Sequence, residues 1–171
     1  MPGGPAGARS CAAVSVVLAA IWCLTGCSPD TTARLGLALG DDDQLVAYLT
    51  YCDEPMVTLS LVTDDPVKQT THELVRWTRT DSGDGNDTER VDLPAPQQPW
   101  ELDPTTPLLP LSETTVYGVG GATVDEDAVT NPVFTSVEQL RALAPGEVRT
   151  TTVDGRDVTL THDQFVDTAC S

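Results

Sequence analysis

Glu147-Val148-Arg149-Thr150-Thr151-Thr152-Val153-Asp154-Gly155-Arg156-Asp157-Val158-Thr159-Leu160 is the stretch that decides the fold. Two runs rich in Val and Thr flank Asp154-Gly155, and Asp-Gly is a pair that adopts the positive φ a tight hairpin turn demands. The pattern predicts antiparallel strands over 147–153 and 156–160. Short helices are expected on both sides. Ser136-Val137-Glu138-Gln139 upstream and Thr161-His162-Asp163-Gln164 downstream share the hydroxyl and amide spacing of a capping box, in which each side chain satisfies a backbone N–H at the helix start. The first helix turns Val137, Leu140 and Leu143 inward before Pro145-Gly146 stops it, and the second returns Phe165, Val166 and Cys170 to the body.

Period-2 alternation recurs toward the N-terminus. Leu35, Leu37 and Leu39 alternate with small residues, Gly40-Asp41-Asp42-Asp43 interrupts, and 45–52 resumes with Val, Tyr and Leu, which predicts a hairpin around an acidic turn. Residues 56–63 set Val57, Leu59 and Leu61 against Thr58 and Ser60, and 72–80 set Val75 and Trp77 against charged or hydroxyl neighbours. A polar hairpin tip is expected at 81–87, with a returning strand at 88–93. The prolines at 94, 96, 99, 104, 107 and 110 predict an extended connector that Trp100 pins to the body. A further strand over 114–119 is read as closed by Gly120-Gly121, and a loop with the acidic run Asp125-Glu126-Asp127 follows. The fold class is therefore mainly β: an immunoglobulin-like β-sandwich with one or two short helices near the C-terminus. An α+β domain with a single curved antiparallel sheet is the alternative.

Residues 11–24 carry no charge and follow a segment whose one charged side chain is Arg9, the layout of an export signal. Fourteen helical residues at about 1.5 Å each reach only ~21 Å, short of a ~30 Å hydrocarbon slab. Leu24-Thr25-Gly26-Cys27 closes the run and resembles the lipobox of bacterial lipoproteins: a branched apolar residue, two small residues, then cysteine. The resemblance implies that Cys27 is the lipid attachment site, acylated with diacylglycerol, and that a signal peptidase cuts after Gly26. Domain organisation follows: 1–26 a signal peptide, 27–34 a lipidated tether, 35–171 a single β-rich domain. The body, through Val133-Phe134-Thr135 and on to Pro145-Gly146-Glu147-Val148, resembles small actinobacterial-type envelope lipoproteins, a likeness that assigns no activity.

Cleavage takes 26 of the 171 residues and leaves 145, and losing Arg9 moves the net charge from −17 to −18. Such a surface repels phosphate polymers, so no nucleic acid partner is expected; anionic headgroups and phosphate-rich wall polymers are disfavoured unless divalent cations bridge them. Of five cysteines, Cys11 and Cys23 leave with the signal and Cys27 takes the lipid, which leaves Cys52 and Cys170. In an oxidising compartment these make one bridge, contributing about 4 to 5 kcal/mol on the chain-entropy account. Two separate thiols are the alternative, but neither cysteine sits in a Cys-x-x-Cys or beside a histidine.

No motif announces chemistry. Asp81-Ser82-Gly83-Asp84-Gly85-Asn86-Asp87 is acidic enough for calcium, but counting from Asp84 puts Glu89 where an EF-hand needs glycine. Asp41 to Asp43 is a weaker version. His72 and His162 lack any zinc-type spacing. Ser60, Ser82, Ser112 and Ser136 lie in no nucleophile elbow, and Gly118-Val119-Gly120-Gly121 has neither a following helix nor a lysine to cradle phosphate. Pro96-x-x-Pro99 and Pro107-x-x-Pro110 have docking-ligand spacing, although a packed connector explains them as well. No catalytic, metal or cofactor residue is assigned, and no cofactor is expected. The reading is a membrane-anchored, extracytoplasmic, non-enzymatic binding or scaffolding module of the cell envelope, with an envelope protein or wall ligand as partner. The alternative is a metal-dependent or carboxylate-based hydrolase acting on envelope material.

Overall fold

The computed structural model describes residues 33–52, 55–65, 70–81, 88–105, 111–123 and 129–170. In chain order the strands are β1 (Ala33–Leu39), β2 (Leu45–Tyr51), β3 (Thr58–Asp65), β4 (Thr70–Arg79), β5 (Thr88–Asp92), β6 (Trp100–Leu102), β7 (Tyr117–Ala122), β8 (Val133–Thr135), β9 (Glu147–Thr151) and β10 (Asp157–Thr161). Helix α1 (Val137–Arg141) precedes β9 and α2 (His162–Thr168) follows β10. They build two antiparallel sheets, β10-β9-β1-β2-β5 and β6-β4-β3-β7-β8. Their apolar inner faces, Leu35, Leu37, Ala47, Leu49 and Val91 from the first and Leu59, Leu61, Val75, Trp77 and Val119 from the second, share one core. The architecture is a β-sandwich. Each fully buried Leu or Val contributes about 1.5–3 kcal/mol, which explains why the period-2 pattern fixes which face turns inward.

Side chains also bond the two layers. The indole N–H of Trp77, 0 % exposed, donates to the Leu93 carbonyl beyond β5 at 2.9 Å. Along another flank, the Arg149 Nε donates to the Phe134 carbonyl at 3.3 Å and the Thr151 hydroxyl to the Pro132 carbonyl at 3.0 Å.

Several local expectations are met and others corrected. The hairpin of β1 and β2 runs in register from Ala33 opposite Tyr51 to Leu39 opposite Leu45. It begins inside the segment read as tether, since Ala33 and Arg34 already pair with β2. The β9–β10 turn is a three-residue loop: Gly155 N–H donates to the Thr152 carbonyl and Thr152 N–H to the Arg156 carbonyl, both at 2.8 Å, with Gly155 at φ 79°. Both helices start in full capping boxes, on Ser136 and Thr161.

Four corrections have physical causes. β5 does not fold back on β4; it pairs with β2 in the opposite sheet, because burying Val91 against Ala47 is as good for its alternation as a hairpin would be. β4 and β5 therefore form no hairpin, and of the tip expected at 81–87 residues 82–87 lie outside the described residues. Gly120 and Gly121 lie within β7, not after it, and a Cβ at Gly121 would come within 3.3 Å of Leu59 Cδ2. The proline segment contains β6, which pairs with the end of β4 and buries Trp100. The three-residue β8, too short to show a period, pairs with β7.

Helix α2 lies on the outer face of the first sheet. Seven residues are too few to be stable alone. The helix is held by Phe165, 0 % exposed, by the Arg34 Nη1 donating to the Thr168 carbonyl at 3.1 Å, and by the Cys52–Cys170 disulfide with Cα atoms 5.3 Å apart. Gly36 makes the seat possible: a Cβ there would lie 2.3 Å from Val148 Cγ1 and 3.1 Å from the Phe165 ring. Among the described residues, no helix is long and apolar enough to cross a membrane. Gly36→Ala is expected to lower stability by about 1–3 kcal/mol in urea unfolding, and Val148→Ala in the same chain to recover part of the loss as a measurable coupling.

Candidate functional site

The end of the sandwich away from the disulfide carries a polar groove. Its first wall is the turn between β1 and β2, where Gly40 N–H donates to the Gln44 carbonyl at 2.8 Å and Asp43 takes φ 56°. Aspartate is among the few side chains that tolerate this left-handed conformation. The second wall is the connection from α1 to β9, closed by Glu147 N–H on the Ala144 carbonyl at 3.0 Å and by Ala144 N–H on Glu147 Oε2 at 2.8 Å. His162 N–H donates to the Gly146 carbonyl at 2.9 Å, which fastens the start of α2 to this wall.

The groove between them encloses about 430 Å³ and is lined by Asp41, Asp43, Tyr48, Arg90, Arg141, Glu147 and His162 over an apolar floor that includes Ala38 and Val148. The rings of Tyr48 and His162 meet edge to face, centroids 4.9 Å apart. Each guanidinium is anchored by acids. Arg90 donates through Nε and Nη2 to Asp92 Oδ1 at 3.1 and 2.9 Å, and this pairing pushes its pKa further up. Arg141 reaches Glu113 at 2.6 Å and Asp43 at 3.4 Å, again with its pKa raised, chiefly by the Glu113 hydrogen bond. Local charge is thereby cancelled while the geometry of the donors is fixed.

A second polar cluster lies at the opposite end, where the layers close. Arg79, its side chain 9 % exposed, donates to Glu89 Oε2 at 2.6 Å, to the Tyr51 hydroxyl at 3.1 Å, and to Asp81. The Tyr51 hydroxyl donates in turn to Glu89 Oε2 at 2.8 Å. The guanidinium carbon stands 5.8 and 5.9 Å from the ring centres of Tyr51 and Trp100. Burial works against the charge of Arg79, but its hydrogen bond to Asp81 and the charge of Glu89 outweigh it, and the net shift is upward. Burial first, then the hydrogen bond to Glu89, pushes the Tyr51 phenol far above its ordinary value. With Arg79 and Trp100 from one sheet and Tyr51 and Glu89 from the other, this cluster staples the layers together.

Of the residues singled out in the sequence, Cys52 and Cys170 are bonded to each other, and Cys27 lies outside the described residues. Asp41 and Asp43 stand at the groove, as does His162, whereas His72 is on β4 in the other sheet. Among the described residues, no three of His, Cys, Asp and Glu come together to hold a metal ion. Tyr48, Arg90 and Arg141 escaped sequence reasoning because only the sheet order brings them to one place; the signal available was the rarity of arginine in so acidic a chain. No family model matches this chain, and no curated protein or solved structure is significantly similar to it.

The raised phenol has a definite sign. Tyr51 prefers its neutral form when folded, so its contribution to stability is complete below the unfolded value near pH ~10 and is lost as pH rises through the higher folded value. Ultraviolet titration is expected to show one phenol of three ionising last, a step absent from Tyr51→Phe, whose stability falls less steeply above about pH 10.

Proposed function

We propose that the protein is a lipid-anchored, extracytoplasmic binding module that holds a ligand of the cell envelope in the groove lined by Tyr48, Arg90, Arg141 and His162. The observation that carries this reading is the polarity of the domain. Ala33 sits opposite Tyr51, beside the Cys52–Cys170 bridge, whereas the groove forms around the turn after Leu39. Five residues separate Cys27 from Ala33, six Cα steps with a reach of at most about 21 Å, so an acylated Cys27 would hold the bridge end near the bilayer. The seven residues of β1 then carry the groove about 23 Å further out, facing away from the membrane.

Holding rather than transforming the ligand fits the chemistry of the groove. Asp43 is engaged by Arg141 and Glu147 by a backbone N–H, which ties both carboxylates to the walls and, among the described residues, leaves Asp41 without a partner acid or base bonded to it. Cys27→Ala is expected to move the chain from the membrane fraction to the soluble one and to remove a diacylglycerol adduct seen by mass spectrometry in the parent. Equal fractionation and mass, apart from the substituted side chain, would refute the anchor.

A further inference from the structure

We infer that the groove takes a neutral, hydroxyl-rich ligand, a saccharide unit of a glycan; this rests on the reading of the groove as the binding site and names its ligand class. Three features lead there. The first is charge. Asp41, Asp43 and Glu147 line the groove together with Arg90 and Arg141, whose guanidiniums are also paired with Asp92 and Glu113. The signs are interleaved rather than separated into an acidic and a basic half. A free anion meets carboxylates already seated on both arginines within a chain of net charge −17, and a cation meets guanidiniums beside the acids it would need. Neither ion gains from the field, nor does a zwitterion, whose two charges need segregated counterparts.

The second feature is hydrogen bonding. Among the described residues, Arg90 Nη1, Arg141 Nε, the Tyr48 hydroxyl and the Asp41 carboxylate make no hydrogen bond within the protein, although all four residues line the groove. The groove therefore offers both open donors and an open acceptor, and a hydroxyl is the group that both donates to a carboxylate and accepts from a guanidinium. The Asp92, Glu113 and Asp43 pairings hold the arginine planes in place beforehand, so little side-chain freedom is lost on binding. The third feature is the aromatic pair. Tyr48 and His162 present ring surface over an apolar floor, the complement of the C–H face of a pyranose. The volume matches as well: 430 Å³ holds about fourteen water-sized groups, room for one pyranose of about twelve heavy atoms and the start of its neighbour.

The chain's two histidines give the test its readout, because His162 lines the groove and His72 lies on the other sheet. The purified full chain in detergent, with ¹³C-labelled histidine assigned through His72→Gln, is titrated with maltotriose and with the β-1,4-linked trisaccharide of N-acetylglucosamine. Inorganic phosphate and glycylglycine serve as the ionic and zwitterionic comparisons. The expected result is a saturable shift of the His162 imidazole signals with at least one trisaccharide while the His72 signals stay fixed. Asp41→Asn, in the exposed turn, and Tyr48→Ala should each weaken that binding about tenfold, Asp41→Asn keeping the test valid should Tyr48→Ala fail to fold. The inference is overturned if neither trisaccharide moves His162, if phosphate or glycylglycine moves it as strongly, or if Asp41→Asn binds as the parent does. Binding is measured away from any membrane, so a failed anchor at Cys27 leaves this outcome unaffected, and a failed titration leaves the anchor standing.

Discussion

Phe165 resting over Gly36 is the contact on which the arrangement of this protein depends. The missing side chain at Gly36 lets the ring sink between β1 and β9, and the ring lays α2 along the outer face of the first sheet. One end of that helix then delivers His162 to the groove and the other delivers Cys170 to Cys52. A single small-to-large fit thus positions a wall of the candidate site and the covalent closure of the domain together. The capping box on Thr161 and the Arg34 bonds to Thr168 refine the position, but a seven-residue helix has no standing without the burial.

The two ends of the sandwich treat polar groups in opposite ways. At the bridge end, Arg79, Glu89 and Tyr51 are drawn between the layers, where withdrawal from water strengthens each hydrogen bond and makes the loss of any partner costly. At the far end, the Arg90 and Arg141 pairs remain at the surface, where exposed ion pairs add little stability and leave their outer edges accessible. Stability is concentrated near the chain's entry into the sheet, and access is concentrated away from it.

Local signals were readable from the residues alone. Alternation identified β1 to β4, Asp154-Gly155 located the β9–β10 turn, and Ser136 and Thr161 marked both helix starts, because each of these depends on neighbours within four or five positions. What failed was partner choice. The pattern that buries Val91 is equally satisfied by β4 or by β2, and nothing within 88–93 says which sheet receives it. Gly120-Gly121 read as a stop because glycine disfavours strands in isolation, but Leu59 and Met56 pack close against Gly121 within the sheet. The groove was illegible for the same reason on a larger scale: Tyr48 and Arg141 are brought together only by the order of strands between them. Cys27, read as a lipid attachment site from its sequence context alone, is the reverse case and lies outside the described residues.

The rims of the two sheets bear on how copies of this chain coexist. β6 and β8 expose only three residues each, and β5 displays Arg90 and Asp92 on its outer face. β10 offers Asp157, Thr159 and Thr161 to solvent. Short or charged margins give a neighbouring molecule no ladder to extend. The margins of both sheets thus resist edge-to-edge pairing even where copies of the chain meet often.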